Sequence, residues 1–224
     1  QQEKGLIGGS FKLGIIPTVM STLLPLFLQT VLKAYPKLVL EIEEMPTKQI
    51  IEHLEKGTLD AGIAATPLDY EHILEKPLYY EPFTVYVPKH SKLNREKNIT
   101  ADMLKTEQVL LLQDGHCFRN SALNICKIKH EIPLTFEIKS GSFETLVQLA
   151  EEGLGITLLP YLHARKLNED QQRNIKSFEA PEPAREVSMV YHQRKLKLHI
   201  IEALHDKIRA IIRGAIVYED IKII

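Results

Sequence analysis

Only two cysteines occur in the 224 residues, so no disulfide framework holds the chain, and its stability has to come from a packed core. A basic excess is also lacking. Lys plus Arg number 28 against 29 Asp plus Glu, a net charge of −1, which leaves nothing to neutralise phosphates, and these residues alone are not expected to hold DNA. No apolar run approaches the roughly 20 residues that cross a bilayer, and the opening QQEKGLIGGS is not a basic-then-apolar secretory signal. A cytoplasmic setting without a membrane partner is therefore expected. The first residue is Gln, not Met, which leads us to expect protein upstream of it. Internal repeats and low-complexity tracts are missing as well.

What is present is ordinary apolar content, 44%, arranged as alternating strands and amphipathic helices. FKLGIIP reads as a buried strand, STLLPLFLQTVLKAYP as a helix with Leu23, Leu24, Phe27 and Val31 on one face, and KLVLEIEE as an alternating strand. Thr47 is expected to N-cap KQIIEHLEK, Gly57 to stop it, and LDAGIAA to return as a strand. After YYEPFTVYVP a second set follows: strand EQVLLL, a helix from about Cys117, strand LTFEI, a helix from near Ser142 ending at Gly153, and strand GITLLP. EVSMVYHQ and KLKLHIIEALHDKIRAIIRG then predict a strand and a long helix that return to the first set. Two α/β lobes, each of Rossmann-like alternation, fit this order better than one sheet. Ligand sites in such folds lie at the carboxyl ends of strands. Thr18 follows one strand and Thr47 precedes a helix. Each alone is explained as a turn or cap hydroxyl, and together they hint at a small polar ligand.

Both cysteines lie in DGHCFRNSALNIC, nine residues apart. On a helix that separation is about 13 Å of rise and roughly half a turn out of phase, whereas a disulfide needs Cα atoms within about 7 Å. Bond formation would require the helix to unwind. Cys117 follows Asp114, Gly115 and His116 at the expected helix start, where unpaired N–H groups, with Arg119 nearby, favour a thiolate. Cys126 shares a stripe with Phe118, Ala122 and Ile125 and is expected to be buried and quieter. Peroxide would take Cys117 to a sulfenic acid, which Cys126 condenses with, closing a loop worth about 3 kcal/mol of chain entropy. Two readings compete with this. Buried free cysteine often serves only as a small hydrophobe, and His116, Cys117, Cys126 and His130 supply four possible metal ligands, although adjacent His116 and Cys117 do not easily face one ion.

The same segment resembles the redox-active segment of the OxyR family of LysR-type transcriptional regulators, which sense hydrogen peroxide. IPTVMSTLLP, GTLDAGI, SFETLVQLAEEGLGITLLP and PEPAREVSMVY resemble that regulatory domain in the same order; GTLDAGI and GLGITLLP are shared more widely among LysR-type proteins. The resemblance implies a periplasmic-binding-protein-like fold of two α/β subdomains: residues 1–82 with 186–224, and 83–185, joined by crossovers near Glu81 to Phe83 and Ala184 to Glu186. It implies that Cys117 is the peroxidatic cysteine and Cys126 the resolving one. Thr18, Thr47, His116 and Arg185 would bind peroxide, with His116 and Arg119 activating the thiolate. No cofactor or metal is implied. It further implies an N-terminal helix-turn-helix domain through which DNA is bound, a homodimer of this domain and a tetramer at full length. RNA polymerase would be an indirect partner, and a thiol reductant such as glutaredoxin or thioredoxin a direct one. Asn120 stands where the family pattern has Asp, and Glu43 where it has His. An organic coinducer in the interlobe cleft and a thiol peroxidase are the alternative functions. The second lacks a Thr-x-x-Cys setting, since Asp114 stands three residues before Cys117. A periplasmic solute-binding protein is the fold-level alternative.

Overall fold

The computed structural model describes residues 7–113, 115–126, 138, 140–194, 196–216 and 221–224. In chain order the elements are β1 (Gly8–Ile15), α1 (Pro17–Ala34), β2 (Lys37–Glu44), α2 (Thr47–Glu55), β3 (Ala61–Thr66), β4 (Ile73–Tyr86), β5 (Asn98–Ile99) and β6 (Val109–Leu110). They continue as α3 (Cys117–Cys126), α4 (Phe143–Glu151), β7 (Ile156–Pro160), α5 (Tyr161–Ala164), α6 (Glu169–Gln172), β8 (Ile175–Phe178), β9 (Glu182–His192), α7 (Leu198–Ile212) and β10 (Ile221–Ile223). Two compact units result. One holds the described residues up to Tyr80 and from Glu186 to Ile216, the other Glu81–Arg185 with the terminal residues 221–224.

In the first unit β1 pairs in parallel with β2, Leu13 opposite Ile42, and with β3, Leu13 opposite Ala61. Strand β9 runs antiparallel to β3, Ile63 opposite Met189. Proline at the first position of α1 has the φ a helix needs and lacks only an N–H that would go unpaired there. Val19, Leu23, Phe27 and Val31 then recur every fourth residue and are all buried. The helix starts at Pro17 and not at Ser21, and Thr22 takes the buried place expected of Leu24, its hydroxyl donating to the Val19 carbonyl at 3.0 Å. A buried threonine is tolerable there because that bond satisfies it. Helix α7 packs on α1 within this unit. Where α2 crosses β3 the strand carries Gly62, because a Cβ there would collide with Ile50.

Thr47 is the first helical residue of α2 and not its N-cap. Pro46, extended at φ −61° and ψ 155°, occupies the cap position without a side-chain bond. The residue before the helix must be non-helical, and proline already satisfies that without offering a hydroxyl. Gly57, at φ +69°, follows the C-cap Lys56 as expected.

In the second unit β4 is antiparallel to β7, Val85 opposite Leu158, and to β8, Val85 opposite Lys176. Strand β7 pairs in parallel with β6, Leu110 opposite Thr157. The expected EQVLLL strand thus shortens to two paired residues, and β5 adds a pairing with β8. The expected strand LTFEI lies outside the described residues except for Ile138. Phe83, Val85, Leu110, Phe118, Ala122, Leu146, Val147 and Leu158 form the core that α3 and α4 cover. The terminal strand β10 lies beside the Glu182–Ala184 end of β9. Among the described residues no helix is long and apolar enough to cross a membrane.

Candidate redox site

Helix α3 begins at one cysteine and ends at the other. Before it, Gly115 at φ +93° turns the chain in a conformation that side chains disfavour. His116 closes the first turn, its carbonyl accepting the Arg119 N–H at 3.0 Å, while its ring lies against Gly141. Arg119 donates through Nη1 to the Leu112 carbonyl at 2.9 Å, and the Gln113 N–H donates to the Ser140 carbonyl at 2.8 Å. The first bond ties α3 to the segment before it, and the second joins that segment to the one that leads into α4.

The apolar stripe follows the spacing read from the sequence: Phe118, Ala122, Ile125 and Cys126 are buried. Neither cysteine is in a disulfide; Cys117 is half-buried and Cys126 fully buried. Burial pushes the Cys126 thiol up to about 12. It therefore stays protonated at neutral pH, and its sulfur is a poor nucleophile until its surroundings open. With the two cysteines at the ends of a ten-residue helix, the rise between them is about 13 Å and they face opposite sides. They meet only if α3 unwinds. Packing beneath α3 leaves gaps lined by Leu111, Phe118, Arg119, Ala122, Phe143 and Leu146, none wide enough for a water.

Phe118 anchors the helix. Its ring centroid lies 4.8 Å from that of Phe83 and 5.0 Å from that of Phe143, edge to face with the latter. Above it sits the guanidinium carbon of Arg185, 5.3 Å from the centroid. Arg185 is almost fully buried and bonds Glu81 Oε2 through Nε at 3.0 Å and Nη2 at 2.7 Å; Glu81 Oε1 accepts the Leu162 N–H at 3.0 Å. From the sequence Glu81 is named only as the start of a crossover and not as the partner of Arg185, which lies 104 residues away.

Of the other residues named from the sequence, Thr18 is buried as the second residue of α1 and Thr47 is half-buried at the start of α2, both in the first unit. His116, Cys117, Arg119 and Arg185 belong to the second unit. Glu43 and Asn120 are exposed. Among the described residues no group of three His, Cys, Asp or Glu side chains is placed to hold a metal ion, and His130 lies outside them.

Residues 4–212 match the LysR substrate binding domain family. The chain belongs to the LysR substrate-binding-domain family. As a LysR-type domain it is part of a transcriptional regulator and not an enzyme. It is 32% identical over 212 residues to the hydrogen peroxide-inducible genes activator of Haemophilus influenzae, covering 92% of this chain and 69% of that one. Against the Escherichia coli K12 DNA-binding transcriptional dual regulator OxyR the identity is 32% over 214 residues, 95% and 70% of the two chains. A probable hydrogen peroxide-inducible genes activator of Streptomyces viridosporus is 34% identical over 182 residues, 81% and 58%. The LysR-type domain thus spans 58 to 70% of the length of these relatives. Solved structures agree on the mixed α/β, periplasmic-binding-protein-like fold. The reduced OxyR regulatory domain of Pseudomonas aeruginosa superposes with a TM-score of 0.79 at 31% identity, over 91% of this chain and 98% of that one. A Corynebacterium glutamicum OxyR cysteine-to-serine mutant with hydrogen peroxide bound gives 0.81 at 25%, over 96% and 68%.

Proposed function

We propose that this LysR-type domain senses hydrogen peroxide through Cys117 and Cys126. The observation that carries the reading is that two cysteines not joined in a disulfide terminate one helix on opposite faces, one half-buried and one buried, so that bonding them changes the fold. The Cys117 thiolate attacks one peroxide oxygen and the O–O bond breaks, leaving a sulfenic acid on Cys117 and a hydroxide that takes up a proton. The Cys126 sulfur then displaces the sulfenic hydroxyl, forming the disulfide and releasing water. Because Cys126 is held as a buried thiol, the second step follows local opening of α3. The similarity to proteins named as hydrogen peroxide-inducible activators supports the same assignment.

Residue roles carried by the family pattern are part of the proposal: Thr18 and Thr47 as hydroxyl partners of peroxide, His116 and Arg185 as polar groups near the sulfur, and Arg119 as a cation at the helix start. At full length the domain would act as a homodimer within a tetramer, bind DNA through a helix-turn-helix domain and engage RNA polymerase indirectly. A glutaredoxin or thioredoxin would reset it in the cytoplasm. The test is peptide mass mapping under non-reducing conditions after a near-stoichiometric pulse of hydrogen peroxide, with free thiols blocked before digestion. A rapid Cys117 to Cys126 cross-link that a dithiol reverses is expected. Two unmodified thiols would overturn the assignment and leave a LysR-type domain for an organic coinducer.

A further inference from the structure

Glu81 and Arg185 occupy a special place in the chain. They are the first and last residues of the segment that forms most of the second unit, on the two strands, β4 and β9, through which the chain enters and leaves it. Their side chains are 1% and 3% exposed, and the guanidinium is held in one orientation by two bonds to the same carboxylate oxygen. A second carboxylate oxygen is fixed by the Leu162 N–H. The same guanidinium lies over the ring of Phe118, the residue that follows Cys117 in α3, at 5.3 Å from its centroid. A desolvated cation over an aromatic face is a stronger contact than one at the surface. Phe118 also fills the space between Phe83 and Phe143, so a helix that unwinds at its first turn withdraws the ring from all three neighbours.

Resting on the peroxide-sensing reading, we infer that the Glu81–Arg185 pair and Phe118 form a latch that holds α3 in its helical, dithiol form and so sets the thiol–disulfide equilibrium of Cys117 and Cys126. In the latch these are positioning residues, acting on the sulfurs through the backbone of α3; the contact to peroxide proposed for Arg185 is a separate role that operates only when peroxide is present. The contact exists in the helical state and is lost when the first turn opens, so it stabilises the dithiol selectively. Removing it moves the equilibrium toward the disulfide.

The measurement is the equilibrium constant of the domain against dithiothreitol. Two electrons and two protons pass from the Cys117 and Cys126 thiols to oxidised dithiothreitol, whose S–S bond breaks as the protein disulfide forms. No peroxide is present, so contacts to peroxide are not read. Phe118→Leu keeps an apolar side chain but removes the ring face. It is expected to favour the disulfide about tenfold, which is about 30 mV toward more negative potential. Glu81→Gln with Arg185→Met removes both charges together and is expected to give a similar shift. All three substitutions combined should give about tenfold again and not a hundredfold, because they break one contact. Leu104→Ala, in the core of the same unit, lowers the unfolding temperature and leaves the equilibrium constant unchanged. Multiplying shifts, unmoved potentials, or an equal shift in Leu104→Ala would overturn the latch. Should the charge-free pair fail to fold, Phe118→Tyr decides: a near wild-type constant beside a shifted Phe118→Leu supports the latch, and equal shifts in both refute it. If the wild-type domain forms no Cys117 to Cys126 disulfide, the peroxide reading fails first; if it does and the variants are unmoved, only the latch fails.

Discussion

Helices α3 and α4 cover the same core of the second unit and touch through Phe118 and Phe143, yet their ends are made differently. Helix α4 is capped by Ser142, whose Oγ accepts the Thr145 N–H at 3.3 Å, and has Glu144 in its first turn beside the positive end of the helix dipole. Gly153, at φ +88°, then ends it cleanly. Its sequence FETLVQLAE is dominated by residues that favour helix. Helix α3 has no acidic residue in its first turn and no basic one in its last, and it places Asn120, Ser121 and Asn124 in its interior. Against alanine, such residues together with Phe118 and Ile125 cost about 2 kcal/mol of helix propensity. Tertiary contacts of one stripe, not local preference, keep α3 folded. The lesson is that the segment carrying the thiols is the less costly of the two to unwind, while its neighbour preserves the core against which it folds.

The sharpest way to break this comparison is to remove the sulfurs. Cys117→Ser is expected to abolish peroxide-driven cross-linking entirely, and Cys126→Ser to stop oxidation at a trappable sulfenic acid; intact mass with a sulfenic-acid probe distinguishes the two, and a cross-linked product from either would sink the account. Next in size is a truncation in the durable helix. Leu146→Ala should cost about 3 kcal/mol of unfolding free energy in both redox forms, measured by urea titration. A cost confined to one form would mean that α4 takes part in the switch.

A pH titration sharpens the contrast between the two thiols. Cys126 has its folded pKa raised from an ordinary 9.0 to about 12 by burial. The folded dithiol state therefore holds this proton more tightly than the unfolded chain. The resulting stability is present below about pH 9 and is lost as pH rises through about 12. The difference in unfolding free energy between wild type and Cys126→Ala is expected to shrink over that window, and a flat difference would contradict the buried assignment. The smallest expected effect comes from improving α3. Asn124 is exposed near its C-terminus, so Asn124→Arg should stabilise the helix by about 1 kcal/mol through propensity and dipole together. That corresponds to roughly a fivefold shift of the dithiothreitol equilibrium toward the thiols. A shift toward the disulfide would mean that α3 is not helical in the dithiol form.

Much of this could be read from the residues. The stripe Phe118, Ala122, Ile125 and Cys126 is a helical period, so α3 and the burial of its second cysteine followed from local pattern. Ser142 and Gly153 marked the ends of α4 for the same reason, since caps are local devices. Pattern misled where tertiary pairing decides. EQVLLL has strand composition, yet only Val109 and Leu110 pair as strand, opposite Ile156 and Thr157, although β7 itself runs on to Pro160: composition does not say where two strands part. Thr47 looked like a cap because of its residue type, while the preceding proline had already taken that place. The Glu81–Arg185 pair was out of reach altogether: its members are 104 residues apart, and nothing local distinguishes a buried ion pair from two surface charges. It is the fold that turns Arg185 from a generic cation into one aimed at Phe118.

Amide hydrogen exchange, read by mass spectrometry on the dithiol and peroxide-treated forms, tests the central claim most directly. Peptides covering Phe118 to Cys126 should lose their protection once the disulfide has formed, while those covering Glu144 to Glu151 keep theirs. A disulfide-bonded protein in which α3 remains as protected as before, or in which α4 loses protection equally, would contradict the account.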